Sequence, residues 1–311
     1  MSRLTLRQSG VALITALLIT AIATVAAVAM ASRQNLEVRR TTNVVEFDQA
    51  YLFALGIESW AKQVLVRDLQ NSTTDHLKEA WATILPPMEV EGATLSGRIE
   101  DLQGRFNLNN LVDSAGKPNE DEIARFRRLL QALDIDPNLA DAVVDWIDPD
   151  SDPRFPDGAE DPIYLALTPP YRPANAPISH PSELLSVHGF TPEIFTALAP
   201  HVWALPVKTA VNVNTATAPV LMSLIEGLKD TEAAQLIADR GDKGYQTVEE
   251  FLADPVLRDR HVTVTNIAVA TSWFLIHGSV RYGRNQVNLH STVNRTQNAR
   301  VIVVARSQGT F

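Results

Sequence analysis

Cysteine is missing from all 311 residues, which excludes disulfides, thiol nucleophiles and thiolate metal sites together. It leaves the compartment open, because periplasmic proteins also do without it. Aromatic residues are scarce, at 6%. A sugar-stacking groove between paired carboxylates is therefore not expected, and with it goes glycosidase chemistry. Positive charge is in short supply as well: 27 Lys and Arg against 36 Asp and Glu give a net charge of −9 and a pI near 5.3. The basic face that marks a nucleic-acid binder is absent. The seven histidines fall in no zinc spacing, His188 precedes Gly189 in a turn-like setting, and no serine sits in a Gly-x-Ser-x-Gly elbow. No enzymatic activity is expected. Proline does not occur before Pro86, so nothing interrupts a helix over the first 85 residues.

Long apolar runs are also rare, but there is one. Val11 to Ala31 carries no charge, and 21 residues at about 1.5 Å each make a helix of roughly 31 Å, the thickness of a bilayer core. Arg3 and Arg7 precede it on a short arm, which the positive-inside rule keeps in the cytoplasm. Residues 32–311 then lie outside the cytoplasm, behind a single span. A secretory signal cut after Ala29-Met30-Ala31 would look similar, yet its apolar region should last only about 7–15 residues. A plain uncleaved anchor is the other alternative.

Beyond the run, Val44, Phe47, Tyr51, Ala54, Ile57, Ala61 and Val64 recur at steps of three or four, which predicts that the helix continues to about Gln70 with one face on a core. Pro86-Pro87 breaks the pattern. Ala93–Leu102 alternates with a period near two, and Phe106-Asn107-Leu108 extends it after a Gly104 turn; Trp273–Tyr282, Asn285–Val293 and Arg300–Arg306 alternate likewise. This predicts an antiparallel sheet split in sequence around a helical middle. Two stretches of that middle repeat. Phe106-Asn107-Leu108-Asn109 parallels Val211-Asn212-Val213-Asn214, each followed by two helices and then by a second start, Pro181-Ser182-Glu183-Leu184-Leu185 against Thr247-Val248-Glu249-Glu250-Phe251-Leu252.

Between the repeats, residues 145–161 hold seven carboxylates against the single Arg154, with prolines at 149, 153 and 156. Closely spaced acids on a stiff loop suit a hard cation such as calcium, which takes six to eight oxygens. The spacing is not that of an EF-hand: counted from Asp148, the sixth position is Pro153 and the twelfth Ala159. A solvated acidic loop with Asx-turns is the alternative that the residues alone leave open.

The leader ending in Gly10 directly before the apolar helix resembles the type IV prepilin leader. That resemblance implies cleavage after Gly10 by a membrane prepilin peptidase and methylation of the new terminus, Val11. Most pilins carry glutamate at the fifth mature position, and here it is Thr15. With Asp145-Trp146-Ile147-Asp148, Gly158-Ala159-Glu160-Asp161, Tyr164-Leu165, Pro169-Pro170-Tyr171-Arg172, Asn175 and Glu183-Leu184-Leu185, the chain is similar to the K-type minor pseudopilins of type II secretion. The resemblance implies an α+β pilin-like fold with a large all-α insertion of two helix-hairpin-helix or SAM-like units. Its divisions would be leader 1–10, transmembrane helix 11–31, amphipathic helix and first strands 32–112, insertion 113–265 with the acidic loop 145–161, and closing strands 266–311. It implies a calcium ion held by Asp148, Asp150, Asp152, Asp157, Glu160 and Asp161. It also implies contacts with other minor pseudopilins in a tip complex, the major pseudopilin, the inner-membrane assembly platform, and secreted substrates or the outer-membrane secretin. One rival exists. Val211–Ala216 followed by Gly227-Leu228-Lys229 resembles the DNA-binding helix-hairpin-helix of membrane-anchored competence proteins, but Lys229 stands where a second glycine belongs and Glu226, Asp230 and Glu232 crowd the phosphate position. Nucleic acid is not an expected partner.

Overall fold

A computed structural model describes residues 10–258, 260 and 266–309. The leader up to residue 9, with Arg3 and Arg7, lies outside the described residues. The first element, α1, runs unbroken over Val11–Asn71, 61 residues or about 90 Å. Its outer part is the one helix among the described residues long and apolar enough to cross a membrane, which fits a single-pass anchor. Thr15, Thr20 and Thr24 turn their hydroxyls back onto carbonyls of their own helix, so no polar group in the run needs an outside partner.

The inner part of α1 buries Ala50, Ala54, Ile57, Ala61 and Leu65. That is the expected stripe from Ala54 onward; Val44 and Phe47, expected on it, are exposed. The sheet has five antiparallel strands in the order β1-β2-β7-β8-β9: β1 Leu85–Val90, β2 Ala93–Asp101, β7 Trp273–Tyr282, β8 Asn285–Arg295 and β9 Val301–Gln308. Its central pair, β2 and β7, is in register from Ala93↔Tyr282 to Asp101↔Phe274 although some 170 residues separate the two in sequence. Pro86-Pro87, read as a break, lies inside β1. It is tolerated because β1 is an edge strand, its register slipping between Leu85 and Met88.

Small residues bring helix and sheet together. Gly97 and Gly278 are register partners beneath Ile57. A Cβ on Gly97 would lie 2.8 Å from the His277 carbonyl oxygen and 3.1 Å from Ile57 Cγ2. Gly97→Ala is therefore expected to destabilise the protein by about 1–3 kcal/mol, as overpacking does. Denaturant unfolding measures it. At the β7–β8 turn, Gly283 adopts φ +57 against Glu46 of α1, whose carboxylate accepts from the Arg284 amide at 3.3 Å.

The insertion contains α2 Glu120–Ala132, α3 Leu139–Ile147, α4 Asp161–Tyr164, α5 Pro192–Leu198, α6 Ala218–Leu224, α7 Asp230–Asp239 and α8 Val248–Leu252. It is mainly helical but not all-α. β3 (Phe106–Asn107) pairs in parallel with β4 (Val202–Trp203), and β5 (Val211–Asn212) with β6 (Ile267–Ala268). Phe106-Asn107 thus leaves the main sheet, and residues 106–112 belong to the inserted body, which begins earlier than 113.

The repeat is real in three dimensions. Asn109 Oδ1 accepts from the Ile178 amide (2.8 Å) while its Nδ2 donates to the Ile178 carbonyl (2.9 Å); Asn214 does the same with Tyr245 (2.7 and 3.0 Å). Each asparagine pins a β-start to the segment entering the second helix start of its unit. One apolar core runs through both units, from Phe106 and Phe126 to Leu221 and Phe251, with α2 packed on α6. Leu102, Trp203, Leu205, Trp273 and Leu275 join it to the sheet face opposite α1.

Candidate metal centre

The acidic segment starts on α3, whose last turn is buried on every side. Asp145 belongs to that turn, Asp148 follows it as the C-cap, and Glu160 precedes α4. Between them the chain reverses. The Gly158 amide donates to the Arg154 carbonyl (2.8 Å), and the Arg154 amide donates to Asp145 Oδ2 (3.0 Å). A Cβ on Gly158 would overlap the Asp145 carboxylate and the Arg154 backbone, so only glycine permits the return. The outcome is three buried carboxylates, Asp145, Asp148 and Glu160, with oxygens within 4.8 Å of one another.

These groups are poorly compensated. Asp148 Oδ1 and both Glu160 oxygens are buried without a hydrogen-bond partner. Burial, reinforced by the neighbouring carboxylates, pushes Glu160 up to about 7 and Asp148 to about 6; Asp145 rises to about 7 for the same reasons, despite its backbone hydrogen bonds. Arg154 supplies only its amide here. Its guanidinium reaches Glu120 (2.9 Å) and Asp141 (3.4 Å), and Asp141 is also held by Arg127 (2.7 Å). Asn175, in the left-handed region at φ +43, donates to the Asp150 carbonyl (2.8 Å) and keeps its own Oδ1 buried and without a partner. Trp146, Tyr164 and Tyr171 pack edge-on or tilted beside the acids, with centroids 5.4–6.4 Å apart.

The described residues contain one other such trio, Asp68, Asp75 and Glu79. There a cation is already present: Arg295 meets Asp68 at 2.7 Å and Asp75 at 2.6 Å. Three converging carboxylates without a guanidinium, with orphaned oxygens, fit a hard cation that takes oxygen ligands.

The structure redraws the set expected from sequence. Asp148 and Glu160 are in the cluster. Asp150, Asp152 and Asp157 are on the exposed rim, where Asp150 Oδ1 closes an Asx-turn onto the Asp152 amide (2.9 Å). Asp161 faces Arg172 at 3.7 Å. Asp145 and the Asn175 oxygen were not in that set. The signal for Asp145 was helix phase, since residues three apart, 145 and 148, emerge on one side of a helix end.

Two family profiles described as type II secretion system (T2SS), protein K match residues 104–207 and 211–270, which are the two repeat units. The type II secretion system protein K of Pseudomonas aeruginosa is 37% identical over 97% of this chain and 93% of its own. The chain belongs to the type II secretion system protein K family. Protein K of Pectobacterium carotovorum is 32% identical over 98% of both chains. A chain in the crystal structure of the GspK-GspI-GspJ complex from enterotoxigenic Escherichia coli superposes with a TM-score of 0.78 at 26% identity, covering 88% of this chain and all of that one. A protein K is a K-type minor pseudopilin, a structural component of type II secretion.

Proposed function

We propose that this protein K caps the periplasmic pseudopilus, anchored by α1 and seated on minor pseudopilins of the kinds that accompany GspK in the superposed complex. From there it primes filament growth and supports export of folded proteins through the outer membrane. The observation that carries this reading is Thr15. In pilins, a carboxylate at this position contacts the terminal amine of the neighbouring subunit. The Thr15 hydroxyl instead donates to the Val11 and Ala12 carbonyls of its own helix, at 3.0 Å each. A subunit without that carboxylate has no such contact to offer forward, and the bulk of the insertion suits an end better than a shaft. Cleavage after Gly10 and methylation of Val11 belong to the same reading.

Calcium would be held by Asp145, Asp148 and Glu160, with the Asn175 oxygen and the exposed Asp150 beside them. Bound there, it supplies positive charge to a buried acidic cluster and ties the end of α3 to the start of α4. Its role is structural.

Placement is tested by gold-labelled antibody on native filaments, together with mass spectrometry of the mature N-terminus. Label confined to filament ends, and a polypeptide beginning at methylated Val11, are expected. Label spaced along the shaft would refute the cap, and a terminus at Met1 or after Ala31 would refute prepilin processing.

A further inference from the structure

Between the apolar run and the sheet, α1 crosses a bare stretch. Every residue from 32 to 42 is exposed, and the first hydrogen bond from the sheet reaches α1 at Asn43, whose carbonyl accepts from Asn285 Nδ2 (3.2 Å). This neck, about 16 Å long, holds Arg33, Arg39 and Arg40 against one acid, Glu37. Arg40 meets Glu37 at 3.2 Å with both side chains largely exposed, while Arg33 and Arg39 meet no carboxylate among the described residues. On the adjoining end of the sheet, Arg281 and Arg284 are matched by Glu46 and Glu91 and add no excess. The body has the opposite sign. Residues 46–311 carry 22 Lys and Arg against 35 Asp and Glu, and a negative membrane surface repels a body of that charge. Arginines just beyond a span on its far side also run against the bias that keeps Lys and Arg in the cytoplasm. Their position calls for a negative partner there.

We propose that Arg33, Arg39 and Arg40 form a collar that binds the phosphates of anionic phospholipids in the leaflet through which α1 leaves the membrane. The proposal rests on α1 being a membrane anchor. Arg33 stands two residues beyond Ala31, about 3 Å above the hydrocarbon and inside a headgroup layer of about 5–8 Å. Arg39 and Arg40 start about 12–14 Å above it, and their apolar stems let the charged heads fold back toward the phosphates. Arg33 and Arg40, seven residues apart, share one side of the helix, and Arg39 emerges about 100–120° from them. The collar thus meets lipid on two sides. A guanidinium is always charged and grips phosphate oxygens in pairs. Near a negative membrane surface each arginine is worth about fivefold in binding. Carboxylates of a neighbouring protein could also pair with the collar, but the depth of Arg33 is that of lipid phosphates.

The test reconstitutes the full-length chain into vesicles of equal parts phosphatidylglycerol and phosphatidylcholine, releases it in mild detergent and weighs the lipids it retains by native mass spectrometry. The chain carries Arg3→Gln/Arg7→Gln, so that the leader arginines hold no lipid of their own. Phosphatidylglycerol is expected to outnumber phosphatidylcholine among retained lipids by about tenfold or more at low salt. Most of that preference should vanish at 1 M sodium chloride, where charges are screened beyond about 3 Å. Adding Arg33→Gln/Arg39→Gln/Arg40→Gln should bring the ratio close to one with the melting temperature unchanged, since glutamine is as good a helix former. Equal retention of the two lipids, or a preference that survives the triple substitution, would overturn the collar and leave its arginines to acidic protein neighbours. Vesicles of phosphatidylcholine alone separate this from the anchor: a chain that does not float with them overturns the anchor reading as well, whereas one that floats without lipid preference overturns only the collar.

Discussion

Chelating calcium from the detergent-solubilised full-length chain at pH 7.5 is expected to lower its melting temperature by roughly 10 °C. An ion that binds only the folded state stabilises it by about 4 kcal/mol at a thousandfold excess over Kd, and each kcal/mol moves the transition of a domain this size by about 2–4 °C. The pH dependence carries the sharper test, because its sign should invert. Without metal, Asp145, Asp148 and Glu160 have folded-state values raised to about 6–7, above those of the unfolded chain. The folded state then binds more protons than the unfolded one, so stability falls as pH climbs from about 4 through 7. With calcium present the carboxylates must be ionised, protons compete with the ion, and stability rises over the upper part of that window. Melting curves at pH 5 and 7.5, with calcium and with chelator, supply all four values. Asp148→Asn with Glu160→Gln should abolish the calcium response and, at pH 7.5 in chelator, melt above the unsubstituted chain, since it removes the repulsion. Equal melting temperatures with and without calcium would reject the site.

Much of this architecture was readable before any coordinates, and the exceptions share one physical cause. Period-two alternation at 93–101 and 273–282 marked the two central strands, and the recurrence of Phe106-Asn107-Leu108-Asn109 as Val211-Asn212-Val213-Asn214 marked the two units, because those signals are local. β1 was hidden by Pro86-Pro87. Proline excludes a strand only where its missing N–H is needed, and an edge position is known only once the sheet is assembled. Phe106-Asn107 alternates like the strand before it, yet its partner is Val202-Trp203, almost a hundred residues on. The acidic loop was conspicuous in sequence, but which acids converge depended on the phase of α3 and on the reversal at Gly158. The Arg295 cluster left no sequence trace, since only chain closure brings its members together.

Arg295→Met should be the most destabilising single change at the junction between the pilin-like part and the insertion. Arg295 is nearly fully buried at the end of β8. It donates to Asp68 on α1 (2.7 Å), to both oxygens of Asp75 (2.6 and 2.7 Å) and to the Thr271 carbonyl (2.9 Å), with its guanidinium 4.7 Å from the Phe274 ring centroid. Asp75 is the hub. Its Oδ2 accepts from the Thr271 amide (2.8 Å), its amide donates to the Val269 carbonyl (2.9 Å), and its carbonyl accepts from Asn212 Nδ2 (3.0 Å). The end of α1, the exit from the insertion, the start of the second repeat and the last residue of β8 thus meet around one ion cluster. Burial already raises both acids, Asp68 to about 6, against the lowering by Arg295. Removing the guanidinium strands two buried carboxylates, a loss of about 3–5 kcal/mol, whereas removing all the charges together is often nearly neutral. The single variant is therefore expected to melt roughly 10 °C lower, and Asp68→Asn/Asp75→Asn/Arg295→Met to recover more than half of that. If the triple variant melted below the single one, the carboxylates would be shown to hold the junction by their backbone contacts, and Arg295 would count only as a packed side chain.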